Sequence, residues 1–301
     1  MSFRPSIVLA CSLTLGSIAP RQAYAQTPPQ PDVWLASLSV SGLKVVIGSA
    51  RNITARPGYD NQPSFSLDGR TLFYTSTRDD AQADIYRFDV KTARTARVTA
   101  TAPESEYSAT VMPSGDAISV IRVERDSTQR LWRVPLDGSE STVILAGIKP
   151  VGYHAWADEH TLALFVLGNP ATLQLADTRT GKGDTVAVNI GRSLHRIPGT
   201  HDISFVSKAR PDGAWVMALN VKTRQTRQLA LLPKGTEDYA WLADGRLIAG
   251  DGSTLVVYDP HGPSAWRVVA DFASAGATGI TRLAVSPKSD RIAFVAIPKA
   301  P

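Results

Sequence analysis

The stretch Phe65-Ser66-Leu67-Asp68-Gly69-Arg70, followed at once by Leu72-Phe73-Tyr74, decides the fold. An apolar residue leads into a turn of Asp and Gly, and an apolar strand of period two follows. Asp-Gly accepts the positive φ of a tight turn, so the segment predicts a β-hairpin. The pattern returns as Val111-Met112-Pro113-Ser114-Gly115-Asp116 before Ile118 and as Trp156-Ala157-Asp158-Glu159 before Leu162. A degenerate copy, His195-Arg196-Ile197-Pro198-Gly199, precedes Ile203-Ser204-Phe205. Trp241-Leu242-Ala243-Asp244-Gly245-Arg246 and Ala284-Val285-Ser286-Pro287-Lys288 complete the series. The leading residues are 46, 45, 39, 46 and 43 positions apart, which marks a repeat architecture.

A second hairpin follows five of the six. Its first strand reads Asp84-Ile85-Tyr86-Arg87-Phe88-Asp89, with copies at Gln129–Val134, Thr172–Asp177, Trp215–Asn220 and Leu255–Asp259. Its second strand is short and β-branched, as in Arg97-Val98-Thr99, Thr142-Val143-Ile144, Thr185-Val186, Arg227-Gln228-Leu229 and Arg267-Val268-Val269. The sixth copy stands at the front of the chain, as Asp32-Val33-Trp34-Leu35-Ala36-Ser37 with Asn52-Ile53-Thr54. The N-terminal strands are therefore expected to complete a blade begun by Arg282 to Ala296, pairing edges that would otherwise stay open. The pattern predicts an all-β fold, a six-bladed β-propeller in one domain over residues 32–301.

Composition agrees with a packed fold and removes several function classes. The 301 residues are 43% hydrophobic and 20% charged, too apolar for a disordered chain. A single cysteine excludes a disulfide scaffold and a multi-thiolate zinc site. The net charge of +5 comes from scattered lysines and arginines, without the basic stripe that nucleic acid requires. Arg4, the apolar run Ile7 to Ile18 and the small residues of Ala23-Tyr24-Ala25 predict a signal peptide over 1–25, with a linker at 26–31. Val8-Leu9-Ala10-Cys11 offers an alternative, lipoprotein anchoring at Cys11. No apolar run reaches transmembrane length. The expected location is periplasmic or secreted.

The repeats resemble the PD40, or WD40-like, repeat of the TolB family, in which an aromatic residue, Ser-Pro-Asp-Gly and a strand precede an aspartate-led apolar strand. The resemblance covers about residues 32–297 and is nearest at Pro63–Arg70 and Ala284–Lys288. It implies a secreted bacterial six-bladed propeller serving as a binding platform. The propeller domains of prolyl oligopeptidase-type enzymes are similar too, but no Gly-x-Ser-x-Gly nucleophile motif occurs here.

In a propeller the innermost strands line the channel, and the segments leading into them hold the candidate site. These carry Tyr59, Glu106 with Tyr107, Tyr153 with His154, Arg192, His195 with Arg196, and Glu237-Asp238-Tyr239, whereas Gly276-Ala277-Thr278-Gly279 is bland. Such a ring supplies aromatic walls and hydrogen-bonding groups for one polar ligand. It predicts a non-catalytic monomer without a cofactor, binding an envelope or secreted protein, a peptide or a glycan. The alternative is a lyase or hydrolase acting on an acidic saccharide. Resemblance to propeller lyases of acidic sugars implies one divalent metal ion for it. His154 and His195, read as matching positions of adjacent blades, would hold that ion. Glu106 or Glu237 would add a carboxylate, Tyr107 or a histidine would act as base, and Arg192 or Arg196 would take the substrate carboxylate.

Overall fold

A computed structural model describes residues 30–299. The predicted signal peptide, Cys11 and most of the linker lie outside the described residues. The chain opens with β1 (Asp32–Ser41), β2 (Lys44–Ile47) and β3 (Arg51–Asn52). Blade one is β4 (Asp60–Phe65), β5 (Thr71–Ser76), β6 (Asp84–Asp89) and β7 (Thr95–Arg97). Blade two is β8 (Ser105–Val111), β9 (Ala117–Val123), β10 (Gln129–Pro135) and β11 (Thr142–Ile144). Blade three is β12 (Val151–Trp156), β13 (Thr161–Val166), β14 (Thr172–Asp177) and β15 (Lys182–Val188). Blade four is β16 (Ile190–Arg196), β17 (Ile203–Ser207), β18 (Trp215–Leu219) and β19 (Thr226–Leu231). Blade five is β20 (Tyr239–Trp241), β21 (Leu247–Asp251), β22 (Thr254–Tyr258) and β23 (Arg267–Asp271). Blade six begins with β24 (Ala277–Val285) and β25 (Arg291–Pro298) and takes β1 and β2 as its outer strands. The fold is a six-bladed β-propeller of antiparallel sheets.

In blade six, β25 pairs antiparallel with β1 from Asp32 opposite Ala296 to Ser37 opposite Arg291. The outermost position is shared. β3 pairs Trp34 and Leu35, while a hairpin absent from the sequence reading lets β2 pair Leu38 to Ser41. Ile53-Thr54 and Val98-Thr99, expected in strands, lie beyond them. The Thr54 hydroxyl donates to the buried Asp32 carboxylate at 3.1 Å and accepts from the Val33 amide at 2.9 Å. Thr99 repeats this arrangement with Asp84 and Ile85 at 3.2 and 2.9 Å. The aspartate that leads the third strand of the repeat is thereby satisfied from within its own blade.

The core lies between blades. Six apolar clusters occupy the six junctions among the described residues, such as Ile121 and Leu131 against Trp156, Leu162 and Leu164 where blade two meets blade three. Trp34 stacks on Phe294, and Phe294 on Phe272, with centroids 6.4 and 5.1 Å apart, at the junction of blades five and six. Burial of such faces is the main force holding a propeller together.

Candidate binding site at the channel mouth

Strand pairing fixes which inner-strand positions are equivalent. Phe65, Val111, Trp156, Arg196, Trp241 and Val285 each pair with the first Leu or Ile of the second strand. Three residues before them stand Gln62, Ser108, Tyr153, Ser193, Asp238 and Arg282. In blades one, two and six this residue adopts a left-handed backbone, with φ of 56°, 55° and 48°, inside a shift of register. Such a bulge re-aims the neighbouring side chains.

One group per blade converges at the mouth: Tyr59, Tyr107, Tyr153, Arg192, Asp238 and Arg282. Arg282 of blade six donates from Nη2 to the Tyr153 hydroxyl of blade three, directly opposite, at 2.8 Å. Its guanidinium also lies 4.7 Å from the centre of the Tyr153 ring. Asp238, almost fully buried, receives Arg192 Nη2 at 2.6 Å and Nε at 3.2 Å, and the Ser193 hydroxyl at 3.3 Å. Arg282 Nε is 3.9 Å from the same carboxylate. Burial raises the Asp238 pKa, but Arg192, Arg282 and Ser193 outweigh it and hold the group below the usual carboxylate range. Burial pushes Tyr59 up to about 12 although Arg282 and Arg192 oppose the shift, so its hydroxyl stays protonated. Beside this cluster, Glu237 faces Arg192 at 3.9 Å and Lys208 at 3.4 Å. A cavity of about 210 Å³ opens there, lined by Arg192, Lys234, Glu237, Asp238, Asp251 and Thr281.

The histidines are placed differently. His154 lies two residues before its leading tryptophan and His195 one residue before Arg196, so they are not matching positions. A one-residue offset turns a strand side chain to the other face. The true counterpart of His154 is Tyr239. His154 Nε2 meets the Ser119 hydroxyl of blade two at 2.6 Å, and the Tyr239 hydroxyl donates to Ser204 of blade four at 2.7 Å. Each serine also accepts an indole N–H, from Trp156 at 2.9 Å and from Trp241 at 2.8 Å. His195 packs edge-on against Tyr239, ring centres 4.8 Å apart. Burial lowers His154 to about 3 and His195 to about 4, so both are neutral imidazoles in junctions between blades.

Glu106 is fully buried between blades one and two. Arg122 Nε donates to its Oε1 at 2.8 Å, Thr101 donates to the same oxygen, and Oε2 has no partner. Arg196 is exposed at the far end of β16, its Nε bonded to the Thr200 carbonyl at 2.6 Å in the turn that follows. Of the predicted site residues, Tyr59, Tyr107, Tyr153, Arg192, Glu237 and Asp238 gather at the mouth. Glu106, His154 and Tyr239 are buried in blade junctions, His195 is half-buried in one, and Arg196 is remote. Arg282 and Lys208 join the site without having been predicted. Among the described residues no three His, Cys, Asp or Glu side chains form a metal-holding group, and the donors present do not fit the two-histidine set considered from sequence.

The sequence matches no protein-family model and no curated protein. Solved structures resemble it closely in fold. A putative TolB from Agrobacterium tumefaciens aligns with a TM-score of 0.71 at 13% identity, covering 91% of this chain and all of that one. TolB from Acinetobacter baumannii aligns with a TM-score of 0.59 at 10% identity over 89% of this chain, which spans 65% of that protein. Oligogalacturonate lyase from Vibrio parahaemolyticus aligns with a TM-score of 0.54 at 13% identity, covering 89% of this chain and 99% of that enzyme. The propeller is thus TolB-like in fold. A scaffold shared by TolB proteins and a lyase does not itself assign an activity.

Proposed function

We propose that the protein is a periplasmic or secreted propeller that binds a protein, peptide or glycan at its channel mouth and performs no chemistry on it. The convergence of Tyr59, Tyr107 and Tyr153 on the Arg192–Asp238–Arg282 cluster carries this reading. Aromatic faces and guanidinium donors held by a rigid scaffold suit recognition of a polar ligand. Catalysis of proton transfer needs a group poised near the working pH. Here Tyr59 is pushed up to about 12, Asp238 is held low by two arginines, and both nearby histidines are committed to blade packing. The predicted signal peptide supports the location.

Calorimetric titration of the full chain with acidic and neutral peptides and oligosaccharides, paired with chromatography of the recovered ligand, tests the proposal. The expected result is a ligand recovered unaltered whose affinity falls about tenfold or more in Tyr107→Ala and Arg192→Ala, a loss typical of a central aromatic or arginine anchor. A saccharide shortened during incubation, with the reaction abolished by His195→Gln, would overturn it.

A further inference from the structure

A second polar cavity, of about 540 Å³, lies between blades six and one on the face where the innermost strands begin. Its walls come from the end of β3 with the segment after it and from the loop joining β5 to β6: Asn52, Ile53, Ala55 and Arg56 on one side, Arg78 and Asp79 on the other. Nearly every polar group of the wall is satisfied internally. The Asn52 side chain bonds Asp32 and the amides of Thr54 and Ala55, and Asp79 accepts the Tyr86 hydroxyl at 2.6 Å. The two arginines are the exceptions. The Nε–H groups of Arg56 and Arg78 are both buried and lack a partner.

The two arginines differ in what holds them. Arg56 is fixed by Asp60 at 2.7 Å, by Ser76 at 2.5 Å and by the Pro57 carbonyl at 2.7 Å. Gly58 adopts a φ of +128°, and a Cβ there would stand 2.5 Å from Arg56 Nη1, so the glycine makes room for the guanidinium. Arg78 has no hydrogen-bonded or ion-paired partner among the described residues. Its guanidinium lies over the Tyr86 ring, 5.8 Å from the centroid, which orients it without consuming a donor. Arg78 is half-buried with its Nη groups unpaired, and an oriented guanidinium with free donors matches the paired oxygens of an anion.

We infer that this cavity is a binding site for a small organic oxyanion, its carboxylate or phosphoryl oxygens taken by the free Nη donors of Arg78 beside the fixed, cationic Arg56 and its body set against Ile53 and Ala55. The site is separate from the channel mouth, to which none of its lining residues belongs, and does not depend on the function proposed for that mouth.

Equilibrium titration of the full chain at constant ionic strength tests this, with inorganic phosphate and succinate as probes and succinamide as the uncharged counterpart. Saturable binding of phosphate, of succinate or of both is expected, with none for succinamide. Binding by one anion alone identifies the source, and binding by both marks the shared oxyanion chemistry. Affinity should fall about tenfold or more in Arg78→Gln and in Arg78→Lys, which keeps the charge but loses the fork, while Arg70→Gln, in the exposed turn between β4 and β5, leaves it unchanged. Should Arg78→Gln lower the unfolding midpoint without ligand, Arg78→Lys carries the comparison. Absence of saturable binding by either anion, or binding that survives both substitutions at Arg78, overturns the assignment.

Discussion

Arg282 reaches across the channel from blade six to the hydroxyl of Tyr153 in blade three, and its guanidinium at once covers the ring that carries that hydroxyl. The contact ties opposite sides of the ring, whereas the apolar clusters tie only neighbours. Tyr153→Phe keeps the ring and removes the acceptor. A hydrogen bond to a charged group contributes roughly 1.5–3 kcal/mol, and the solvated mouth lowers this to an expected loss of about 1–2 kcal/mol. A double-mutant cycle with Arg282→Gln in urea unfolding should give a coupling of about 1 kcal/mol. Additive losses would show that the two side chains are independent.

The repeat was legible because each blade restates one hairpin with a turn that only a few residue types accept. The site was less legible because the inner strands are bulged. His154 and His195 look equivalent because both stand at the entries of adjacent blades, but pairing with the second strand aligns Trp156 with Arg196 and Trp241, and so His154 with Tyr239. Arg282 escapes a search of the entry segments because the one for blade six, Gly276–Gly279, ends before it. Counting three residues back from Val285, as from Trp156 to Tyr153, would have found it. The β2 hairpin was missed because Leu43 to Ile47 has no counterpart in the other blades. Glu106 looked like a site residue since nothing local in sequence announces that Arg122, sixteen positions on, would bury it.

The left-handed residues of the inner strands give a paired test. Ser108 has a φ of 55° and a buried hydroxyl without a partner. Glycine relieves the backbone strain and removes the orphaned hydroxyl, so Ser108→Gly should stabilise by about 1 kcal/mol after the entropy gained by the unfolded chain is subtracted. Gln62 has the same backbone, but its side-chain oxygen accepts from the Ser108 amide and the Thr75 hydroxyl, both at 2.9 Å. Gln62→Gly should therefore destabilise by about 1–2 kcal/mol. Denaturant midpoints of the two variants moving in the same direction would contradict the account.

Glu106 makes stability fall as the solution becomes less acidic. Burial raises its pKa above the ordinary value of 4.5, although Thr101 and Arg122 oppose the shift. Below 4.5 the group is protonated in both states. Above it the unfolded chain ionises first, so stability is lost until the folded group ionises too. Glu106→Gln lacks this dependence, and its unfolding free energy should gain on the wild type between pH 4.5 and neutrality. A difference that is flat or reversed over that range would mean that Arg122 keeps Glu106 ionised in the fold.

His154 works in the opposite sense, and Tyr239 supplies the substitution that isolates it. The folded pKa is depressed from 6.5 to about 3, so its contribution is complete above 6.5 and is lost as the pH falls toward 3, because the unfolded chain takes up the proton first. Tyr239 occupies the same position two junctions away and bonds the equivalent serine through its hydroxyl. His154→Tyr should thus remain folded, with a cost of about 1–3 kcal/mol at pH 7 for the larger ring. Below pH 6.5 the variant should recover relative to the wild type by roughly 1.4 kcal/mol per pH unit, the slope of a single titrating group. His195, depressed to about 4, leaves a second acid dependence in both proteins and cancels from the comparison. Urea midpoints at pH 7 and pH 5 read this directly, and parallel losses in the two proteins would place the acid-sensitive proton somewhere other than the Ser119–Trp156 junction.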